Sequence, residues 1–306
     1  MTRIGVLNFC LRQFARPFLA RTKAPEKAAR DFRRAAKYFF FKPKGLGFQT
    51  NQIDGGVPIS RITCGPVNDH AAILFFHGGG YVAGSAWTHR GMLARLSQLS
   101  GVPVYAPDYR LAQTAPFPAA FEDARKAWDD LRVTHPADRI ILGGDSAGGG
   151  LALSLLAALL KDDERPGGLF AFSPWTDLTL TGASLEANEP MDAILPRSRM
   201  SDLCEVVLDG ANPTDPRVSP LFAEFDNPPP TYIQASQTEI LLDDARRITD
   251  HLHAAGGNSA LDLWVDCPHV WQIFDGWVPE ARDALQRTAD FVQSQLNPVP
   301  PPQSEN

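Results

Sequence analysis

Cysteine is scarce: only Cys10, Cys64, Cys204 and Cys267 occur in 306 residues, and no two stand at the short spacing of a metal site. A chain of this length can bury a core without disulfide staples, so the four read as free thiols in a reducing compartment. Long apolar runs are missing as well. No segment reaches the ~18 uninterrupted apolar residues needed to span a bilayer. The short run Ile4 to Leu11 follows Arg3, but Arg12 and Arg16 cut it and no small-residue cleavage site follows, which argues against a signal peptide. Internal repeats at periods of ~20–50 residues are absent, and no lysine follows a glycine cluster as a phosphate-cradling loop requires. What remains is a globular composition, 44% hydrophobic and 21% charged. It predicts a cytoplasmic protein with no stable membrane insertion and no nucleic-acid partner.

Positive charge is scarce everywhere except at the N-terminus. Residues 1–48 hold 12 Lys or Arg against Glu26 and Asp31, a net of +10, which leaves the remainder at −16 for a total of −6. A basic amphipathic arm can bind anionic lipid or nucleic acid. It can also dock on its own acidic body, and Phe14, Phe18, Phe32, Phe39 and Phe40 favour docking because they need cover.

The first 48 residues predict two helices broken near Pro25, and no strand. Strands then alternate with helices. The strands are 48–53, 59–63, 72–76, 102–106, 140–142, 169–172, 231–235 and 261–265; the helices are 91–100, 119–134, 151–161, 241–255 and 280–295. Such alternation makes an α/β fold with a mostly parallel sheet covered on both faces. Short runs such as Ile73-Leu74-Phe75-Phe76 fit strands buried on both sides. Residues 180–212 break the alternation and read as an insertion beside the mouth of a site. The Pro-rich tail 298–306 has no core-forming residues and reads as mobile.

Gly144-Asp145-Ser146-Ala147-Gly148 stands between the apolar run Ile140-Ile141-Leu142 and a helix-forming stretch. That arrangement places a serine on a sharp strand-to-helix turn, exposing its hydroxyl for attack on an acyl group. The turn tolerates only small residues two before and two after the serine, and Gly144 and Gly148 satisfy it. The N–H of Ala147, at the helix start, would face an oxyanion formed at the attacked carbon. Upstream, His77-Gly78-Gly79-Gly80 lets backbone N–H groups approach a ligand with no side chains in the way. A general base must come downstream, in the order nucleophile, acid, histidine. His251 and His253 fall inside a helix, whereas His269 follows the last strand in a loop. Three acids follow strand 231–235. Glu239 lies in the loop and leads; Asp243 and Asp244 lie in the first helical turn, where acids also complement the dipole.

At these residues the chain resembles the hormone-sensitive lipase group of α/β-hydrolases, whose bacterial members are carboxylesterases. The resemblance rests on His77 to Gly80, Gly144 to Gly149, Asp108-Tyr109-Arg110-Leu111-Ala112 with Pro116 to Ala120, and Pro268-His269, and it covers roughly residues 45–295. It implies Ser146 as nucleophile, His269 as base, and Gly79, Gly80 and Ala147 as oxyanion donors. The family acid lies about 30 residues before its histidine, which selects Glu239, although many members carry Asp there. Gln113-Thr114-Ala115 also departs from the Pro-Glu-His often found at that loop. The implied architecture is a helical cap arm at 1–48 and a catalytic domain at 49–297 with a cap insertion at 180–212. The implied activity is cleavage of short to medium acyl esters through an acyl-enzyme, with no cofactor and no metal. Trp87 and Leu208 are expected pocket residues. Dimers are common among relatives, so a homodimer is the implied assembly. A receptor on the same scaffold would lack the histidine, and an amidase would share the triad.

Overall fold

Eight strands form a single sheet in the order β1-β2-β4-β3-β5-β6-β7-β8 in the computed structural model, which describes residues 2–53 and 55–297. They are β1 Leu46–Gln52, β2 Pro58–Cys64, β3 Ala72–Phe76, β4 Val104–Pro107, β5 Ile140–Asp145, β6 Gly168–Phe172, β7 Thr231–Ser236 and β8 Ser259–Trp264. β2 pairs antiparallel with both β1 and β4, and every later pairing is parallel. The tail expected to be mobile, 298–306, lies outside the described residues.

The helices are α1 Arg3–Cys10, α2 Arg16–Arg21, α3 Pro25–Phe39, α4 Ala86–Ser100, α5 Ala119–Arg132, α6 Ala147–Lys161, α7 Ser184–Ala187, α8 Met200–Leu208, α9 Leu242–Ala254 and α10 Pro279–Leu296. Every residue of β3 and β6 is buried, and their side chains alternate between two cores. Leu74 and Phe76 face the core built with α5, α6 and α9; Ile73 and Phe75 face the core built with α4 and α10. The central strands therefore end with their carboxyl edges between two helical layers, where ligands bind in open α/β sheets.

Two helices start earlier than the sequence suggests. α4 begins at Ala86 rather than Gly91, because Ser85 Oγ accepts from the Thr88 N–H at 3.1 Å while Thr88 Oγ1 accepts from the Ser85 N–H at 2.9 Å. That reciprocal cap uses Thr where the usual signature has Glu or Gln. α6 begins at Ala147 rather than Leu151, running straight through Gly148, Gly149 and Gly150. Helix propensity disfavours three glycines, but packing overrides it: a Cβ at Gly148 would sit 2.1 Å from the Phe76 carbonyl oxygen, and one at Gly150 would sit 2.0 Å from that of Trp175.

In the N-terminal arm, α1 and α2 join through a π-helical segment, Leu11–Ala15, and Pro25 opens α3. Docking covers only part of the arm. Ile4, Asn8 and Leu11 are buried, and Phe32 and Phe40 are half-buried against the second core, but Phe14, Phe18 and Phe39 remain 73%, 42% and 60% exposed. Helical spacing lets one face of each helix meet the body, and these three side chains point elsewhere. Among the described residues no helix is long and apolar enough to cross a membrane. The insertion 180–212 contains α7 and α8 and lies over the carboxyl end of the sheet, between β6 and β7 in the chain.

Candidate active site

β5 delivers Ser146 to the end of the sheet in a strained conformation, with φ at +52° and ψ at −123°. Backbone bonds lock this turn: the Ser146 N–H donates to the Phe172 carbonyl at 2.8 Å, and the Ser146 carbonyl accepts from Trp175 and Gly150. Gly144 and Gly148 stand two residues either side because there is no space for more. A Cβ on Gly144 would lie 2.2 Å from the Gly148 oxygen. Ala147 opens α6, so its N–H is one of those a helix leaves without an intrahelical partner.

The loop after β8 carries His269, and the loop after β7 carries Glu239. The His269 Nδ1–H donates to Glu239 Oε2 at 2.6 Å, with both side chains buried. Glu239 Oε1 is occupied as well, accepting from the Ser236 N–H at 2.7 Å. Burial acts to lower the His269 pKa, but the Glu239 bond, together with the charges of Glu239, Asp192 and Asp145, outweighs it and raises the value above 6.5. Asp243 and Asp244 are engaged elsewhere. Asp243 accepts from the Ser184 N–H at 2.9 Å, and Asp244 accepts from the N–H groups of Thr176 and Asp177. Burial pushes Asp244 up to about 7.

The glycine loop after β3 reaches the same place. Gly79 and Gly80 adopt φ of +122° and +62°, and a Cβ on Gly79 would lie 2.3 Å from the Ala83 oxygen. Ser146, His269, Gly79 and Gly80 line one cavity of about 370 Å³. A serine on a strained turn, a carboxylate-bonded imidazole and a glycine loop thus border a common space, an arrangement whose chemistry is compatible with acyl transfer.

Residues 73–273 match the alpha/beta hydrolase fold family. An esterase of Acinetobacter venetianus is 38% identical over 226 residues, spanning 72% of this chain and 74% of the relative. An acetyl-hydrolase of Streptomyces hygroscopicus is 34% identical over 228 residues, spanning 74% and 76%. A solved esterase from the bacterial hormone-sensitive lipase family superposes with a TM-score of 0.90 at 35% identity, covering 96% of this chain and 98% of that one. The chain is an α/β hydrolase of the bacterial hormone-sensitive lipase group.

In this hydrolase the cavity wall is largely apolar and comes from three sources: Leu19, Ala28 and Phe32 of the arm, Ile194, Leu195, Leu203 and Val206 of the insertion, and Leu241 and Phe274 of the body. Neither Trp87 nor Leu208 belongs to it. Trp87 is half-buried on α4, with the Arg90 guanidinium 3.5 Å from its ring centroid and Arg33 at 4.9 Å. Leu208 is buried in the core, about 200° round α8 from Val206, on the opposite side from the cavity.

Several supporting residues carry no sequence signal of their own. Asp145, the middle residue before the serine, accepts from the Gly78 N–H at 2.9 Å, tying the glycine loop to the serine turn. His89 Nε2 stands 3.3 Å from the same oxygen. His77 is packed between Tyr109 and His89, its carbonyl accepting from the Tyr109 hydroxyl at 2.6 Å. Burial, then the charge of His89, lowers its pKa to about 3, so this ring stays neutral and structural. On the acid side the insertion braces the Glu239 loop. Asn188 Nδ2 donates to the Glu239 carbonyl at 2.9 Å, and buried Asp192 accepts from the N–H groups of Ile240, Ile194 and Leu195. One carboxylate thus fixes both the acid's neighbour and two residues of the cavity wall.

Proposed function

We propose that this protein, a carboxylic ester hydrolase by family, cleaves short to medium acyl esters through an acyl-enzyme formed on Ser146. Ser146 Oγ adds to the ester carbonyl carbon as its proton passes to His269 Nε2, and the N–H groups of Gly79, Gly80 and Ala147 receive the oxyanion. The tetrahedral intermediate collapses, the C–O bond to the alcohol breaks, and the imidazolium returns the proton to the leaving oxygen. Water then adds to the acyl-enzyme by the same route, releasing the carboxylic acid and free serine. Glu239 holds the Nδ1–H tautomer and stabilises the imidazolium, so Nε2 is the nitrogen left to accept a proton.

One observation carries the reading. The 2.6 Å bond from His269 to Glu239 stands in the wall of the cavity that also holds the strained Ser146 and two glycines at positive φ. The cavity lies in the ~300–1,000 Å³ range of small-molecule sites, and its apolar wall suits an acyl chain.

Ser146→Ala tests the assignment. Turnover of p-nitrophenyl esters should fall roughly 10⁴–10⁶-fold with the unfolding temperature unchanged, and a fluorophosphonate should label the native chain on Ser146 alone. A variant with more than a few per cent of native turnover would remove Ser146 from the mechanism. A panel from acetate to palmitate would then set the acyl-length limit.

A further inference from the structure

We propose that the N-terminal arm is a docking face for an anionic lipid surface. Among the described residues, twelve large apolar side chains are exposed, and seven of them fall between Val6 and Phe41. Three more adjoin the arm: the Met191 carbonyl accepts from Arg12, Val265 precedes the Asp266 whose carbonyl accepts from Asn8, and the Trp277 indole donates to the Phe39 carbonyl. Only Val133 and Phe222 lie elsewhere. Apolar exposure gathered at one place marks an interaction site, whereas scattered single residues do not.

The arm's charge selects the occupant. Eleven of its twelve cations are exposed, and among the described residues only Arg16 meets a carboxylate of the body, Glu189. Along α3 the exposed residues Lys27, Arg30, Arg33, Arg34 and Lys37 recur every three or four positions, forming a basic stripe that ends at exposed Tyr38 and Phe39. A cationic helix face beside exposed aromatic rings fits a membrane interface, with rings at the acyl boundary and cations among anionic headgroups. Two arms apposed across a two-fold axis would instead bring +10 against +10. The turn from α2 to α3, including Thr22 and Ala24, also lines the cavity, so docking would set the cavity wall against the lipid. The docking stands independently of the chemistry proposed for Ser146.

The test is co-sedimentation of the full chain carrying Ser146→Ala with vesicles of phosphatidylcholine, with or without phosphatidylglycerol. Binding is expected to the anionic vesicles only, and to weaken as salt is raised. Each cation removed should weaken partitioning about fivefold, so Arg30→Ala with Lys37→Ala costs roughly twenty-five-fold; Phe14→Ser with Phe39→Ser also weakens it, and Val133→Ser does not. In chains retaining Ser146, unchanged turnover of a soluble acetate ester reports that these variants are folded. Equal binding to both vesicle types, or none to either, overturns the proposal. Salt-sensitive self-association without vesicle binding would assign the face to a second copy. Retained activity in Ser146→Ala would refute the proposed chemistry and leave the vesicle result intact.

Discussion

Glu239→Gln puts the acid assignment to its sharpest test, because the two carboxylate oxygens already have different partners. Oε1 accepts from the Ser236 backbone N–H at 2.7 Å and Oε2 from His269 at 2.6 Å. A glutamine offers one acceptor and one donor to the same pair. The backbone N–H cannot change roles, so the amide oxygen belongs at Ser236 and the NH₂ group turns to His269. Nδ1 must then accept, the ring proton moves to Nε2, and the ring can no longer take the Ser146 proton. The flipped amide restores the tautomer but leaves a buried N–H unpaired at about 1–3 kcal/mol, a factor of about 5–150 in population. Loss of the charge-assisted bond to the imidazolium adds about 1.5–3 kcal/mol to the barrier. Together these predict a kcat loss of roughly 10²–10⁴.

A second signature follows from pKa. His269 is held above 6.5 against its own burial chiefly by Glu239, so in the variant its pKa falls and the acid limb of kcat/KM moves to lower pH. The sign for stability is the opposite of that for activity. A raised histidine pKa stabilises the fold fully below the unfolded value of about 6.5, and this contribution disappears as pH rises through the folded value. The pH-dependent part of the stability gap between native and variant should therefore be largest on the acid side. Asp243→Asn is the control: Asp243 caps α7 through Ser184, so kcat should change by less than about threefold. Steady-state kinetics on p-nitrophenyl butyrate across pH, with thermal unfolding, would decide. A larger loss in Asp243→Asn, or an unmoved acid limb in Glu239→Gln, would refute the assignment.

Two further substitutions address the supports. Asp145→Ala leaves the buried Gly78 N–H without its acceptor, at about 1–3 kcal/mol; kcat should fall tenfold or more with KM nearly constant, and Asp145→Asn, which keeps an oxygen, should recover most of it. A rise in KM with kcat unchanged would place Asp145 outside the oxyanion loop's support. Gly148→Ala drives a Cβ to 2.1 Å from the Phe76 oxygen and 2.5 Å from that of His77, both backbone atoms that cannot rotate away; at about 1–3 kcal/mol of overpacking the unfolding temperature should fall roughly 2–12 °C. An unchanged melting temperature would contradict the close strand-helix packing.

The central strands were readable because burial on both faces demands continuous apolar runs, and Ile73 to Phe76 can do little else. Boundaries are misread where a glycine that serves packing resembles a turn signal. β5 continues through Gly143 and Gly144 to Asp145, since Gly143 makes room for the Phe170 ring, whose Cζ would lie 2.3 Å from an added Cβ. β4 starts at Val104, two residues late, after Pro103. The arm was readable as helix, but its burial was not: residue spacing specifies that one face docks, not how many of its phenylalanines share that face.

For the site, the legible part is what chain order and local geometry dictate. A serine between two obligate glycines has a local cause, and so does a histidine in the loop after the last strand. The acid was a ranking among three, and it became a single partner only where Glu239 reaches His269 across 30 residues while Asp243 and Asp244 serve other N–H groups. Asp192, Asn188 and His89 had no such local cause, because each acts through a neighbour distant in sequence. Trp87 and Leu208 failed for a related reason: bulk near the mouth is set by position along the chain, whereas pointing into the cavity depends on helix phase. α8 makes this concrete. Leu203 and Val206 share a face one turn apart and line the cavity, while Leu208, two residues further, turns into the core. Ser146, Glu239 and His269 thus sit after strand ends that topology fixes, whereas much of the cavity wall sits on the arm and insertion, whose orientation is decided by packing.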